Sequence, residues 1–141
     1  TFYNLSINST TTNVSAGVYN RTNILNTNRL TYGAETGSSN FAGIALGLKL
    51  ADGLTYYATN DNLGNSAFGS VTDVRGFFVQ TIQSTNSNAK QIYRNSSLIS
   101  NATRTQIAAP NLEIVFGANN RAGVIQFYDN RETSFLFLEI H

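Results

Sequence analysis

Residues 41–59 read FAGIALGLKLADGLTYYAT, and this stretch decides the fold class. Between residues 41 and 50 the apolar side chains recur at every second position, which is the period of a β-strand. The odd positions include Gly43, Ala45 and Gly47, so the second face of this strand is nearly bare and lets another backbone approach closely. That backbone could belong to a second sheet, a neighbouring subunit or a flat ligand, and tight sheet packing is the default. The apolar face consists of Ala42, Ile44, Leu46, Leu48 and Leu50.

The ADG triplet at residues 51–53 predicts a hairpin, and the strand that follows places Tyr56 and Tyr57 on opposite faces. Similar short alternating runs recur to the end of the chain, whereas residues 60–66, 84–88 and 119–123 have turn composition. Roughly ten to twelve short strands at this spacing are typical of a sandwich or a barrel. The sequence therefore predicts one all-β domain over residues 1–141.

The last run, residues 134–140, is apolar on both faces. A strand of this kind is expected in the middle of a sheet, covered on both sides. The same expectation applies to Phe116. A Phe137→Ala substitution should then damage folding badly. Tyr57→Ala should leave folding nearly intact if the Tyr57 ring points to solvent or to a partner.

The composition excludes several functional classes. Charged residues make up 12% of the chain and the net charge is +1, without the basic stripe that nucleic-acid binding requires. No apolar run approaches the roughly 20 residues of a membrane-spanning helix. The chain has no Cys and a single His, His141, so Cys-based or two-His metal sites cannot be built. It begins with Thr and contains no Met, so we interpret it as processed or as a piece of a longer protein.

Two hairpin motifs in the second half carry a family resemblance. Residues 93–96 read YRNS and residues 116–120 read FGANN. Within residues 74–140 these motifs resemble those of the concanavalin A-like lectin/glucanase superfamily, including laminin-G-like modules. Ser96 replaces a family Gly, and Phe116 replaces a family Ile. The resemblance implies a two-sheet antiparallel jelly-roll sandwich.

The Asn-rich, Cys-free style of the chain is similar to that of modules on bacteriophage virions. This implies a structural or interaction module of a tail fibre, head fibre or capsid decoration, located outside the cell or on the virion surface. Its partners would be other protein subunits, in a homo-oligomer or a virion, with glycans as a further contact. The first alternative function is that of a free carbohydrate-binding lectin. The second and less favoured one is a glycoside hydrolase that has lost its catalytic strand or lies apart from it.

The acidic residues do not form the carboxylate pair of a glycoside hydrolase, so we predict no enzymatic activity. Glucanases of the superfamily place their carboxylates at period-two spacing in one cleft. Here Glu132 and Glu139 are seven positions apart and would face opposite sides of a strand, and Glu113 stands alone. Calcium is the one cofactor considered, at residues 60–62 or 129–130, but turn capping explains those Asn and Asp residues better. No cofactor or metal site is predicted.

Candidate sugar-binding residues are aromatic side chains that could stack on a ring and polar side chains that could hydrogen-bond to it. The competing interpretation is that these tyrosines are ordinary strand residues, half buried as their β propensity favours. The candidates are Tyr56, Tyr57, Asn60, Asp61, Asn62, Asn119, Asn120, Arg121 and Tyr128.

Overall fold

The computed structural model describes residues 4–5, 14–24, 29–37, 42–48, 50, 53–62, 67–83, 89–103 and 111–140. Every regular element within those ranges is a β-strand, and none of them contains a helix long and apolar enough to cross a membrane. The strands are β1 Asn4–Leu5, β2 Val14–Asn20, β3 Tyr32–Glu35, β4 Ala42–Gly47, β5 Leu54–Asn62, β6 Ala67–Ser70, β7 Gly76–Gln83, β8 Ala89–Arg94, β9 Ser97–Thr103, β10 Ile114–Phe116, β11 Asn119–Arg121, β12 Val124–Gln126 and β13 Thr133–Ile140.

The strands form two sheets, which confirms the predicted all-β class. The eight-stranded sheet has the order β1-β10-β3-β4-β5-β6, with β11 beside β3 and β12 beside β11. The five-stranded sheet has the order β13-β2-β7-β8-β9. Strand pairs are antiparallel except for β11 and β3, which are parallel. One hydrophobic core takes residues from both sheets, so the sheets pack face to face as in a sandwich.

The core between the sheets contains polar groups as well as apolar ones. The Tyr57 hydroxyl lies 3.2 Å from Ser100 Oγ, and Lys90 Nζ lies 4.9 Å from the centre of the Tyr57 ring. Burial raises the pKa of the Tyr32 hydroxyl well above its usual value, and the neighbouring Gln80 side chain offsets this only in part. Both tyrosines are therefore core residues. The Tyr32 hydroxyl remains neutral, and the Tyr57 hydroxyl lies within hydrogen-bond distance of Ser100.

Strand β4 has the two faces that its sequence predicts. Ile44, Leu46 and Leu48 are buried in the core between the sheets. On the opposite face, a Cβ added at Gly47 would lie 2.9 Å from Leu30 Cδ2. The close approach to the bare face is therefore made by residues 29–30 and by the side chain of Leu50. Leu50 was predicted on the apolar face, and that placement is wrong. Gly53, with φ of +82°, turns the chain from β4 into β5.

Two expectations about strand placement are wrong. Strand β13 lies at the end of the five-stranded order, pairing with β2 alone among the described strands, and is not central. Phe137, on the outer side of β13, instead packs across the bare backbone of Gly17. Strand β5 continues through Asn62, where a loop was expected to begin at residue 60. Residues 51–52, 63–66 and 84–88, which carry other turn predictions, lie outside the described residues.

Candidate interaction surface

The hairpin of β11 and β12 stands at the edge of the eight-stranded sheet. Its two turn residues, Ala122 and Gly123, have φ of +52° and +86°, as a type I′ turn requires. The Ala122 amide donates a 2.7 Å hydrogen bond to the Glu35 carbonyl, and the Gly123 amide donates one of 3.1 Å to Asn120 Oδ1. These bonds tie the turn to β3 and to its own first strand, so the hairpin has a defined position.

Exposed apolar side chains are concentrated in this hairpin and the residues after it. Four of the six large apolar residues classed as exposed in the described chain lie between positions 124 and 128. Scattered exposed apolar residues are normal, whereas several of them in one short segment make that segment a candidate interaction site. Val124 lies beside Arg121 on one face of the hairpin, and Ile125 lies beside Asn120 on the other. We call these four side chains, together with the Arg121 guanidinium, the hairpin surface. The four are Val124 at 62% exposure, Ile125 at 36%, Phe127 at 36% and Tyr128 at 51%.

Phe127 holds a strained backbone conformation at the centre of the hairpin surface. Its φ is +56°, a region in which a bulky residue is a genuine outlier. Its carbonyl accepts a 3.1 Å hydrogen bond from the Leu30 amide, which helps to hold this conformation. Such strain costs about 1–2 kcal/mol and tends to persist where a site needs a side chain presented in one direction.

The Arg121 guanidinium lies over the Phe127 ring, with Cζ 4.7 Å from the ring centre. The carboxylate that holds this guanidinium belongs to Glu35, whose side chain is fully buried. Glu35 Oε2 accepts hydrogen bonds from Arg121 Nη2 at 2.8 Å and Nε at 3.0 Å. The same carboxylate accepts from Asn119 Nδ2 at 2.6 Å and from the Tyr56 hydroxyl at 2.9 Å. Charge-assisted bonds of this kind are strong, so the ring and the guanidinium are organised before any partner arrives.

A second buried ion pair fixes the chain just beyond the hairpin surface. Asp129 Oδ2 accepts from Arg131 Nη1 at 2.8 Å and from Thr31 Oγ1 at 3.0 Å, and both charged side chains are almost fully buried. The Arg131 guanidinium also donates to the Leu48 carbonyl. The Asp129 amide donates to the Gly117 carbonyl at 2.7 Å. The hairpin surface is thereby anchored on both sides.

Four of the nine candidate residues belong to this arrangement. Tyr56, Asn119 and Arg121 meet at the Glu35 carboxylate. Tyr128 belongs to the hairpin surface, and its hydroxyl donates a 3.2 Å hydrogen bond to the Ile125 carbonyl. Asn120 lies between Asn119 and Arg121 in β11 but is only 7% exposed. Its Oδ1 accepts the hydrogen bond from the Gly123 amide in the turn.

The other four candidates lie elsewhere. Tyr57 is fully buried, so the expectation that its ring could face solvent or a ligand is wrong. It fails because β5 turns its odd-numbered side chains at this point toward the five-stranded sheet. Asn60, Asp61 and Asn62 lie on β5, where Asp61 pairs with Gly43, and their side chains lie outside the described residues.

Two residues at the centre of the arrangement were missed from the sequence. Glu35 ends a strand of only four residues, too short to give a clear periodic signal. Its burial depends on contacts with β5 and β11, which are far away in the chain. Phe127 follows the end of β12, and no local sequence rule predicts positive φ for phenylalanine.

Among the described residues, no three His, Cys, Asp or Glu side chains come together as metal ligands would. A comparison of the chain with models of known protein families finds no match. A comparison with curated proteins finds no match either. What the hairpin surface does is therefore inferred from its own residues and their geometry.

Proposed function

We propose that this chain is a non-enzymatic structural and interaction module whose copies contact one another through the hairpin surface. The observation that carries the proposal is the group of exposed apolar side chains at residues 124–128, held in place by the Glu35 and Asp129 ion pairs. Aromatic and arginine side chains held in fixed positions at the centre of a patch are typical of protein interfaces.

The charge pattern favours a further copy of the chain as the partner. Residues 122–128 read AGVIQFY and carry no charged side chain. A two-fold contact places a surface against its own image, so charged residues would meet like charges and oppose association. The nearest positive group, Arg121, is already neutralised by Glu35. Apart from this paired guanidinium the hairpin surface carries no charge, so a two-fold contact brings few like charges together.

The way the two carboxylates nearest the hairpin surface are used supports the non-enzymatic assignment of this surface. Every polar contact described for Glu35 and Asp129 serves to hold other parts of the fold in place. A general acid or base needs a carboxyl group that can reach a reacting atom. The concanavalin A-like jelly-roll topology and the place on a virion surface are part of the proposal. The hairpin motifs at residues 93–96 and 116–120 support the first, and the Asn-rich, Cys-free composition supports the second.

A second candidate function is carbohydrate binding at the same surface. The exposed rings of Phe127 and Tyr128 are adjacent in the chain, and Arg121 lies over one of them. An apolar ring such as Phe127 beside a ring with a polar tip such as Tyr128 suits a ligand that is apolar on one side and polar at its edges.

Sedimentation velocity and a glycan array distinguish the two functions. We expect the wild-type chain to associate between roughly 1 and 100 µM, and Val124→Lys to raise the dissociation constant at least about tenfold. Thr72→Lys, which adds the same charge at an exposed loop position, should leave association unchanged. A chain that stays monomeric at every concentration would refute self-contact. Glycan retention lost in Phe127→Ala would establish the carbohydrate function instead.

A further inference from the structure

Two buried polar atoms on opposite sheets have no hydrogen-bond partner among the residues that the structure describes. They are the Tyr32 hydroxyl, on β3 of the eight-stranded sheet, and Gln80 Oε1, on β7 of the five-stranded sheet. Tyr32 is 1% exposed and Gln80 is fully buried, so bulk solvent reaches neither atom. Roughly nine-tenths or more of the buried polar groups in folded proteins have a partner. The two atoms therefore point to a partner held inside the fold.

The two side chains are neighbours in the core between the sheets. Phe78 and Ile82 belong to one core cluster with Tyr32. Gln80 lies between them on β7, with its side chain on the same face. Its Nε2 donates a 3.2 Å hydrogen bond to the Ala58 carbonyl, so the amide group reaches across to β5 of the opposite sheet. Burial raises the pKa of the Tyr32 hydroxyl, and Gln80 offsets part of this rise, as only an adjacent group can.

The unpaired groups are complementary, but they are not hydrogen-bonded to each other. The Tyr32 hydroxyl has a proton to donate, and Gln80 Oε1 has lone pairs that can accept one. Turning the Gln80 amide over would exchange its oxygen and its nitrogen, and the Ala58 carbonyl would then face an oxygen and lose its donor. The hydrogen bond to Ala58 therefore fixes which end of the amide is left unpaired. A third group that both accepts and donates satisfies the two atoms together.

We propose that one water molecule is bound between the two sheets, where it accepts a hydrogen bond from the Tyr32 hydroxyl and donates one to Gln80 Oε1. Buried waters make about two to four hydrogen bonds to polar groups that the protein itself leaves unpaired. Protein interiors are close-packed and hold few spaces much larger than one water molecule. Water therefore suits this position better than an organic ligand does.

This water joins the sheets through strands that lie inside each of them. Strand β7 is the central strand of the five-stranded order, and β3 has a strand on either side of it in the other sheet. The water explains why a tyrosine and a glutamine occupy core positions that apolar side chains of similar size could fill. The inference concerns the core alone and goes beyond the proposed function, so it stands or falls independently of any contact made by the hairpin surface.

The first experiment is a high-resolution crystal structure of the wild-type chain. We expect electron density for a water molecule about 2.5–3.2 Å from both Tyr32 Oη and Gln80 Oε1. A direct hydrogen bond between these two atoms would overturn the proposal, and so would the lack of any density within reach of both.

The second experiment follows the same water in solution by magnetic relaxation dispersion of the water oxygen, which counts the water molecules that stay bound while the protein tumbles. Tyr32→Phe should lower this count by about one water molecule per chain, because a buried water needs at least two polar partners. Tyr57→Phe is the matched control and should leave the count unchanged. It also removes a buried tyrosine hydroxyl, but one that already lies 3.2 Å from Ser100 Oγ.

Circular dichroism confirms that each variant is folded. Gln80→Leu, which removes the acceptor, takes the place of Tyr32→Phe if that variant does not fold, and should give the same loss. An equal number of bound waters in the wild-type chain and in the folded variant would contradict the proposal.

Discussion

Glu35 and Arg121 form an ion pair of 2.8 Å in which the carboxylate is fully buried and the guanidinium is one-quarter exposed. The pair joins β3 to β11 and sets the position of the guanidinium over Phe127. Because water cannot reach the buried Glu35 carboxylate, its negative charge is compensated by the Arg121 guanidinium and not by solvent.

Arg121→Ala should therefore destabilise the chain by about 3–5 kcal/mol, since it leaves the Glu35 carboxylate buried without a counter-charge. Glu35→Gln in the same background should recover part of this loss. Urea unfolding of the two single variants and the double variant gives the coupling energy, which we expect to exceed about 1 kcal/mol. Strict additivity would mean that the pair does not hold the hairpin.

Substitutions at the two turn residues of the β11–β12 hairpin should change stability in opposite directions. The left-handed conformation is strained for Ala122 but not for Gly123. Ala122→Gly should stabilise the chain by roughly 0.5–1 kcal/mol, and Gly123→Ala should destabilise it by about 1 kcal/mol. Ser96→Gly in the β8–β9 turn, where φ is +68°, should also stabilise. Melting temperatures check all three, and a loss on Ala122→Gly would exclude the type I′ turn.

Gly17→Ala tests the packing of Phe137 across β2. The new methyl group would overlap the Phe137 ring, so we expect a loss of about 1–3 kcal/mol from overpacking. In a Phe137→Ala background the same substitution should cost much less, because the space above Gly17 is then open. Equal costs in both backgrounds would contradict the ring position.

The pKa of the Asp73 carboxyl group is lower than that of a free aspartate. A hydrogen bond from the Arg75 side chain lowers its pKa from 3.8 to about 2. Because the folded value lies below the unfolded one, the pair stabilises the fold above pH 4, and this contribution is lost as pH falls toward 2. The carboxylate is exposed, so the effect on stability is small. Carboxyl NMR titration should show the pKa return toward 3.8 in Arg75→Leu, and an unchanged value would exclude the pairing.

Tyr57→Ala should cost about 3–5 kcal/mol, as for other buried aromatic residues. Tyr57→Phe removes only the hydroxyl that lies 3.2 Å from Ser100 Oγ and should cost about 1 kcal/mol. Chemical denaturation of both variants checks this. A Tyr57→Ala variant as stable as the wild type would place the ring outside the core.

The features that could be predicted from the sequence are those that depend on residues close together in the chain. The alternation in residues 41–50 predicted both faces of β4, and the hairpin signal at residues 93–96 predicted the β8–β9 turn. The edge position of β13 was not predictable, because the Phe137 ring is covered by packing across Gly17 on the neighbouring strand β2. The convergence of Tyr56, Asn119 and Arg121 on Glu35 joins segments that are 21 to 86 residues apart, which no local pattern reports.

The most direct test of the central claim measures the exposure of the Val124 and Ile125 methyl groups. NMR relaxation caused by a soluble gadolinium chelate reports how closely solvent approaches each methyl group. If copies of the chain meet through the hairpin surface, this relaxation should fall for both residues between roughly 1 and 100 µM, and the Thr72 methyl group should show no change. In Val124→Lys the Ile125 methyl group should stay exposed at both concentrations. Equal relaxation of Val124 and Ile125 at low and high concentration in the wild-type chain would contradict the claim.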